Sequence, residues 1–158
     1  ALHYSRFTDQ YILADDSGLA VPALGGAPGV HSARYAGPGA TDEDRVRKLL
    51  HEMEGKTGDA RRAQFICVTA IAFSGRCRIV TSDRARGILL EEPRGTHGFG
   101  YDPVFFFPEL GKTYAELTRE KKNRVSHRGK SFRKAISLLL SPYSVTPFQA
   151  LAHPNTRD

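Results

Sequence analysis

Two cysteines, one methionine and no tryptophan occur in 158 residues. Two thiols cannot build a disulfide framework, and the spacing of Cys67 and Cys77 fits neither a CxxC redox pair nor a zinc-ligand pattern, so free thiols are expected. If Ser74 and Gly75 form a two-residue hairpin loop, Cys67 faces Ser82 and Cys77 faces Ala72, on opposite faces of the sheet. No apolar run approaches the roughly 18 residues of a membrane span; the longest, Phe65 to Phe73, is strand-sized. The opening ten residues include His3, Arg6 and Asp9 and contain no apolar signal region. No membrane partner is expected, and a cytoplasmic protein is the simplest expectation.

Several common motifs also fail. Gly129-Lys130-Ser131 resembles the end of a phosphate-binding P-loop, but the glycine required five residues earlier is Arg124. Gly98-Phe99-Gly100 opens a dinucleotide fingerprint whose third glycine is replaced by Pro103. His51-Glu52 begins a zinc-protease motif, but Gly55 stands where the second histidine belongs. No internal repeat is present.

What is present is a globular composition, 40% hydrophobic and 25% charged, which rules out wholesale disorder or a rod. Lys plus Arg exceed Asp plus Glu by 23 to 17. The excess is uneven: residues 112–134 hold nine basic side chains against Glu116 and Glu120. Such clustering favours a local anion site, although a solvated face is an equally simple explanation. A non-catalytic nucleic-acid-binding module using this segment is the alternative from another functional class.

The spacing predicts a short buried strand at Tyr11–Ala14 that stops in a turn at Asp15-Asp16-Ser17-Gly18. Residues 22–39 are too rich in Gly and Pro for regular structure and read as a functional loop. Thr41 and Asp44 form a capping pair for a helix over about 42–54. Gln64–Phe73 and Cys77–Thr81 predict a central hairpin, and Arg86–Leu90 a further strand. Val104–Phe107 follows as an aromatic strand. Thr113 and Glu116 open a helix through about Lys122, and Ser126 caps a last helix whose apolar stripe is Phe132, Ala135, Ile136 and Leu139. The expectation is one domain over residues 1–140, of α/β or α+β class, and an extended or disordered tail over 141–158.

Three groups of residues can carry chemistry. Asp15 and Asp16 are either a solvated turn or a pair in which one acid bonds locally while the other faces a cleft, where it suits Mg²⁺ or an attacking water. Phe99 and Tyr101 flank Gly100 in a loop where a purine can stack, unless Phe99 merely plugs the core. Ser126-His127-Arg128 begins a helix whose free N–H groups favour anions, and Lys122 adds a point charge. Together a carboxylate, an aromatic platform and a cationic helix start match one nucleoside triphosphate.

The ordered segments Ala14-Asp15-Asp16-Ser17-Gly18-Leu19, Leu24-Gly25-Gly26-Ala27-Pro28-Gly29, Ser32-Ala33-Arg34-Tyr35, Gly98-Phe99-Gly100-Tyr101-Asp102-Pro103, Ala115-Glu116-Leu117-Thr118 and Ser126-His127-Arg128-Gly129 resemble the non-canonical purine nucleoside triphosphate pyrophosphatases, the inosine/xanthosine triphosphatases. The resemblance covers about residues 11–140. It implies an elongated, two-lobed mixed α/β fold with a central sheet flanked by helices, usually a homodimer, hydrolysing ITP, dITP and XTP to the monophosphate and pyrophosphate with Mg²⁺. By the same resemblance Asp16 is the catalytic acid and metal ligand, Ser17 a substrate contact, Phe99, Gly100, Tyr101 and Asp102 the base-binding loop, and Lys122, His127 and Arg128 the remaining nucleotide ligands. Family members begin with a strand and a Gly-rich turn bearing Ser/Thr-x-Asn-x-x-Lys, then a metal-binding Glu and a helix with another Lys. None of these precedes Tyr11. The expectation is therefore either a shortened chain or a protein lacking part of its triphosphate site, with an exposed sheet edge, no first strand and helix, and weak nucleotide binding.

Overall fold

The β-branched run through Phe65–Phe73 forms the middle of a sheet because it needs neighbours on both edges and cover on its faces. In the computed structural model this segment is β3 (Arg62–Phe73), paired antiparallel with β1 (Ile12–Ala20) on one side and β4 (Arg76–Leu89) on the other. The short strands β2 (Pro28–Gly29), β5 (Phe105–Phe107) and β6 (Lys112–Thr113) extend the sheet to the order β2-β1-β3-β4-β5-β6, antiparallel throughout. Three helices accompany it: α1 (Asp42–Glu52), α2 (Arg119–Val125) and α3 (His127–Leu140). The mixed α/β class expected from the sequence is borne out. The structure describes residues 1–141; the tail expected from 141 onward lies, from 142, outside the described residues. Among the described residues no helix is long and apolar enough to cross a membrane.

Residues 15–18 are strand rather than turn. Their register runs without a break, Asp15↔Thr69, Asp16↔Val68, Ser17↔Cys67 and Gly18↔Ile66, so pairing with the central strand overrides the turn preference of Asp, Ser and Gly. The expected strand at Arg86–Leu90 is the far end of β4. A bulge also corrects the hairpin register. Ala72 pairs with Cys77 as expected, but Ile71 pairs with Ile79, so Arg78 is the extra residue and Cys67 faces Asp83 instead of Ser82. Both thiols are free, Cys67 buried and Cys77 exposed. Within residues 22–39 the chain is more regular than expected: β2 and tight helical turns at Pro22–Leu24 and Ser32–Arg34 break up the loop.

β2 reaches β1 only at Leu19 and Ala20. Among the described residues the outer edge of residues 12–18 is therefore unpaired, an exposed edge of the kind expected from the sequence. Behind the paired end of β1, Leu19 and Phe65 join Leu89, Phe105 and Tyr114 in one hydrophobic core, closed by Val46 and Leu49 of α1 and by Met53 just past its end. The Thr41–Asp44 capping box that starts α1 is formed as expected. Arg61, a lone arginine with no sequence signal, is buried and ties the end of α1 to the end of β4. Its guanidinium donates to the carbonyls of Leu89 (2.7 Å), Leu90 (2.8 Å), Met53 (3.2 Å) and Lys56 (3.1 Å).

Two features set the depth and angle of α3. The Thr113–Glu116 box caps only a short turn at Tyr114–Glu116, because Leu117 is extended; Thr118 then caps the separate helix α2. Ser126 ends α2 and caps α3, its hydroxyl accepting from Gly129 N–H. Gly129 permits the close approach of the two helices, since a Cβ there would lie 1.9 Å from the Asn123 carbonyl oxygen. The face of α3 packed on the sheet is His127, Ser131 and Ala135, while Ile136 of the expected stripe is 42% exposed. Buried hydroxyls decide this: Ser131 Oγ and Thr69 Oγ1 are 2.7 Å apart, and Thr81 Oγ1 donates to the Ser131 carbonyl at 3.0 Å. The start of α3 is thereby held against β3 and β4.

Candidate active site

A cavity of about 900 Å³ opens where β1, the 97–102 loop and the α2–α3 junction meet. Its size suits a nucleotide-scale ligand. Eight of the nine residues singled out from the sequence line it: Asp16, Ser17, Phe99, Tyr101, Asp102, Lys122, His127 and Arg128. Gly100 does not. It lines an adjacent recess of about 320 Å³ beside Val46 and Pro103, and its N–H is taken by the Asp42 carboxylate at 2.6 Å.

Neighbouring strand residues leave β1 on opposite faces. Asp15 and Ser17 project toward α3. Asp15 Oδ2 accepts from Arg128 Nε at 2.8 Å and Ser17 Oγ at 3.1 Å, with Cys67 Sγ at 3.7 Å. Asp16 is exposed and, among the described residues, makes no hydrogen bond or ion pair. Both acids line the cavity, which the unpaired outer edge of β1 permits. One carboxylate is thus committed to a structural contact and the other is free.

The 97–102 loop is folded around Asp102. This residue is 3% exposed; its carboxylate accepts the Phe99 N–H at 2.9 Å and forms an ion pair with Lys122. Gly98, at φ +82°, allows that approach, because a Cβ would stand 2.0 Å from Asp102 Oδ2. Burial pushes the Asp102 carboxyl up from its ordinary range, with Lys122 pulling the other way. Tyr101 is also buried, its hydroxyl donating to the Ser32 carbonyl at 3.0 Å, so it anchors the loop. Phe99 does not plug the core: it is 59% exposed, with Lys122 Nζ 4.7 Å and the Arg128 guanidinium 5.6 Å from its ring centre. An aromatic face flanked by two cations is what a purine with phosphates can use.

His127 stacks on Phe65 with ring centres 4.6 Å apart, and its Nδ1 is buried without a partner among the described residues. Burial, reinforced by Arg128 and Lys122, lowers its pKa to about 3. It is therefore a neutral imidazole across the physiological range and contributes a hydrogen-bonding group, not a charge. An unfolded chain takes up this proton from about pH 6.5 downward while the native one resists, so His127 stabilises the fold above pH 6.5 and this contribution drains away as pH falls toward 3. Unfolding free energies from urea titrations should drop by on the order of 1 kcal/mol per pH unit from this group as pH falls from about 6.5 to 4. His127→Phe, which keeps the stack, is expected to flatten that slope.

Asp42 and Arg45 at the start of α1 were not visible as site residues in the sequence. Asp42 bridges Gly100 N–H and the Arg45 guanidinium, and Arg45 also donates to the Ala40 carbonyl at 2.7 Å while its buried Nε has no partner among the described residues. The only signal available was their place in the first turn after the capping box.

Among the described residues no group of three or more His, Cys, Asp or Glu is placed to hold a metal ion by itself. The donor set still fits Mg²⁺, which is commonly held by one or two carboxylates together with phosphate oxygens and water. Asp16 offers a hard carboxylate oxygen that is unpaired among the described residues.

A model described as the Ham1 family matches residues 1–138. The dITP/XTP pyrophosphatase of Geobacillus kaustophilus is 52% identical over 130 residues, covering 82% of this chain and 64% of that protein. The dITP/XTP pyrophosphatase of Desulfotalea psychrophila is 53% identical over 131 residues, covering 83% and 58%. This chain thus spans somewhat less than two thirds of the length of these two relatives. The solved structure of a HAM1 protein from Coxiella burnetii superposes with a TM-score of 0.80 at 41% identity, over 88% of this chain and 72% of that one.

Proposed function

This chain belongs to the Ham1 family, and from that membership we propose that it hydrolyses the purine nucleoside triphosphates ITP, dITP and XTP to the monophosphate and pyrophosphate, in one domain over residues 1–140. The observation that carries the reading is the single cavity shared by an unpaired carboxylate, Asp16, and an exposed ring, Phe99, flanked by Lys122 and Arg128. The curated names of the relatives support the substrate class.

In this mechanism Asp16 accepts a proton from the attacking water. The water oxygen bonds to the α-phosphorus, the bond from that phosphorus to the bridging oxygen breaks, and pyrophosphate leaves. Lys122, the first N–H groups of α3 and Ser17 face the phosphates, and His127 offers a neutral hydrogen bond. Asp16 would hold Mg²⁺, which would supply charge neutralisation at the phosphates. The base stacks on Phe99. A purine 6-oxo group accepts a hydrogen bond where adenine's 6-amino group donates one, so donors on Arg128 favour inosine and xanthosine over adenosine.

We place this activity in the cytoplasm, where the triphosphate pool is, and propose a homodimer as its assembly. Val68 and Val80, 43% and 61% exposed on the sheet face turned away from α3, support a surface that a second copy covers. Nothing favours the nucleic-acid-binding alternative. Of the basic residues in 112–134, Lys122 and Arg128 are held by Asp102 and Asp15, and Arg133 donates to the carbonyls of Asn123 (2.8 Å) and Arg124 (2.6 Å).

The test is a panel of ITP, XTP, ATP and GTP with pyrophosphate detection, in the presence of Mg²⁺ and of EDTA, beside the Geobacillus kaustophilus relative. Pyrophosphate from ITP and XTP, little from ATP, and none in EDTA is the expected result. Equal rates on all four, or release unaffected by EDTA, contradicts the reading.

A further inference from the structure

We infer that Asp15 is a positioning residue that sets base selectivity through Arg128, an inference that rests on the reading above. Asp15 Oδ2 takes the Arg128 Nε at 2.8 Å, and it also takes Ser17 Oγ at 3.1 Å. A guanidinium has a fixed planar fork, so fixing Nε fixes the direction of both Nη groups. Among the described residues neither Nη has a hydrogen-bond acceptor. The guanidinium carbon stands 5.6 Å from the centre of the exposed Phe99 ring. Arg128 is thus clamped on its inner edge by a carboxylate and leaves its outer edge free beside the base platform.

Asp15 can hold this role because its own position is not free. It sits mid-strand opposite Thr69, and Thr69 is bonded to Ser131 of α3, the helix that carries Arg128. Acceptor and donor are therefore mounted on β1 and α3, both of which are fastened to β3, β1 by its strand pairing and α3 by the buried Thr69–Ser131 hydroxyl pair. Selectivity for a 6-oxo group requires donors that stay put when the wrong base enters; a loose arginine could turn away from adenine's amino group at little cost. Asp15 supplies that rigidity through the arginine it holds.

The experiment is a double-mutant cycle of Asp15→Asn and Arg128→Lys, reading the ratio of kcat/KM for ITP to that for ATP, together with the Nε–H signal of Arg128 in ¹H–¹⁵N spectra, identified by its loss in Arg128→Lys. Asp15→Asn should cut the ITP preference about tenfold or more and shift or broaden the Nε–H signal. Each single variant and the double variant should show about the same loss. Asp15→Glu, which keeps the charge at a longer reach, should fall between wild type and Asp15→Asn in both readouts, and it decides the matter if Asp15→Asn does not fold. An Nε–H signal unmoved by Asp15→Asn, an unchanged ITP preference, or losses that multiply in the double variant overturn the inference. Absence of pyrophosphate release from every triphosphate by the unmutated protein would instead be a failure of the functional reading, and the Nε–H signal still judges the clamp.

Discussion

Replacing Asp16 with Asn is expected to abolish measurable pyrophosphate release, a loss of about 10²- to 10⁴-fold, while leaving the thermal unfolding midpoint where it was. The first half follows from chemistry. An amide neither accepts the water's proton nor serves as a good hard-cation ligand, and general-base contributions are of that size. The second half follows from geometry. Asp16 is exposed, points away from the face that α3 covers, and has no bond among the described residues to lose. Asp15→Asn should differ from it in kind, because Asp15 is engaged with Arg128 and Ser17. Neighbouring acids with opposite phenotypes are a sharp outcome; similar behaviour of the two variants would mean that the division of labour is wrong.

Lys122→Met is expected to cost about 3–5 kcal/mol of folding stability, because it leaves a buried carboxylate without its counter-charge. Asp102 is 3% exposed and holds the loop through the Phe99 N–H, so losing its partner should also loosen the ring that flanks the cavity. The pH dependence has a definite sign. Burial already raises the Asp102 carboxyl, and without Lys122 it rises further. A group whose folded-state pKa is raised stabilises the protonated native form most below its unfolded value and loses that contribution as pH rises through the folded one. The variant should therefore be least deficient at acidic pH and progressively worse toward neutrality. Chemical denaturation from pH 4 to 8 measures this, and Lys122→Met combined with Asp102→Asn should recover part of the loss, since the charge left unpaired is gone.

Much of this was legible in the sequence, for reasons that differ by element. The caps at Thr41, Thr113 and Ser126 were readable because a side-chain oxygen meeting a backbone N–H three residues on is a local interaction. The grouping of Asp16, Phe99, Lys122, His127 and Arg128 came from ordered motifs, and all five line one cavity. What failed were features set by distant partners. Residues 15–18 look like a turn until β3 is laid beside them. Cys67 faces Asp83 only because Arg78 bulges, and a bulge leaves no mark on alternation. Ile136 fits a helical stripe, yet the Ser131–Thr69 hydroxyl pair turns α3 so that Ala135 is buried and Ile136 is not. The Asp15–Arg128 clamp joins residues 113 positions apart, and no local pattern announces it.

The unity of the cavity is the claim on which everything else depends, and a crystal structure with Mg²⁺ and the slowly hydrolysed α,β-imido analogue of ITP tests it most directly. The expected result is one nucleotide, with its base against Phe99, its 6-oxo group toward Arg128, and its α-phosphate beside Asp16. A nucleotide seated in the recess by Gly100, or bound with Asp16 and Phe99 both untouched, would contradict the account.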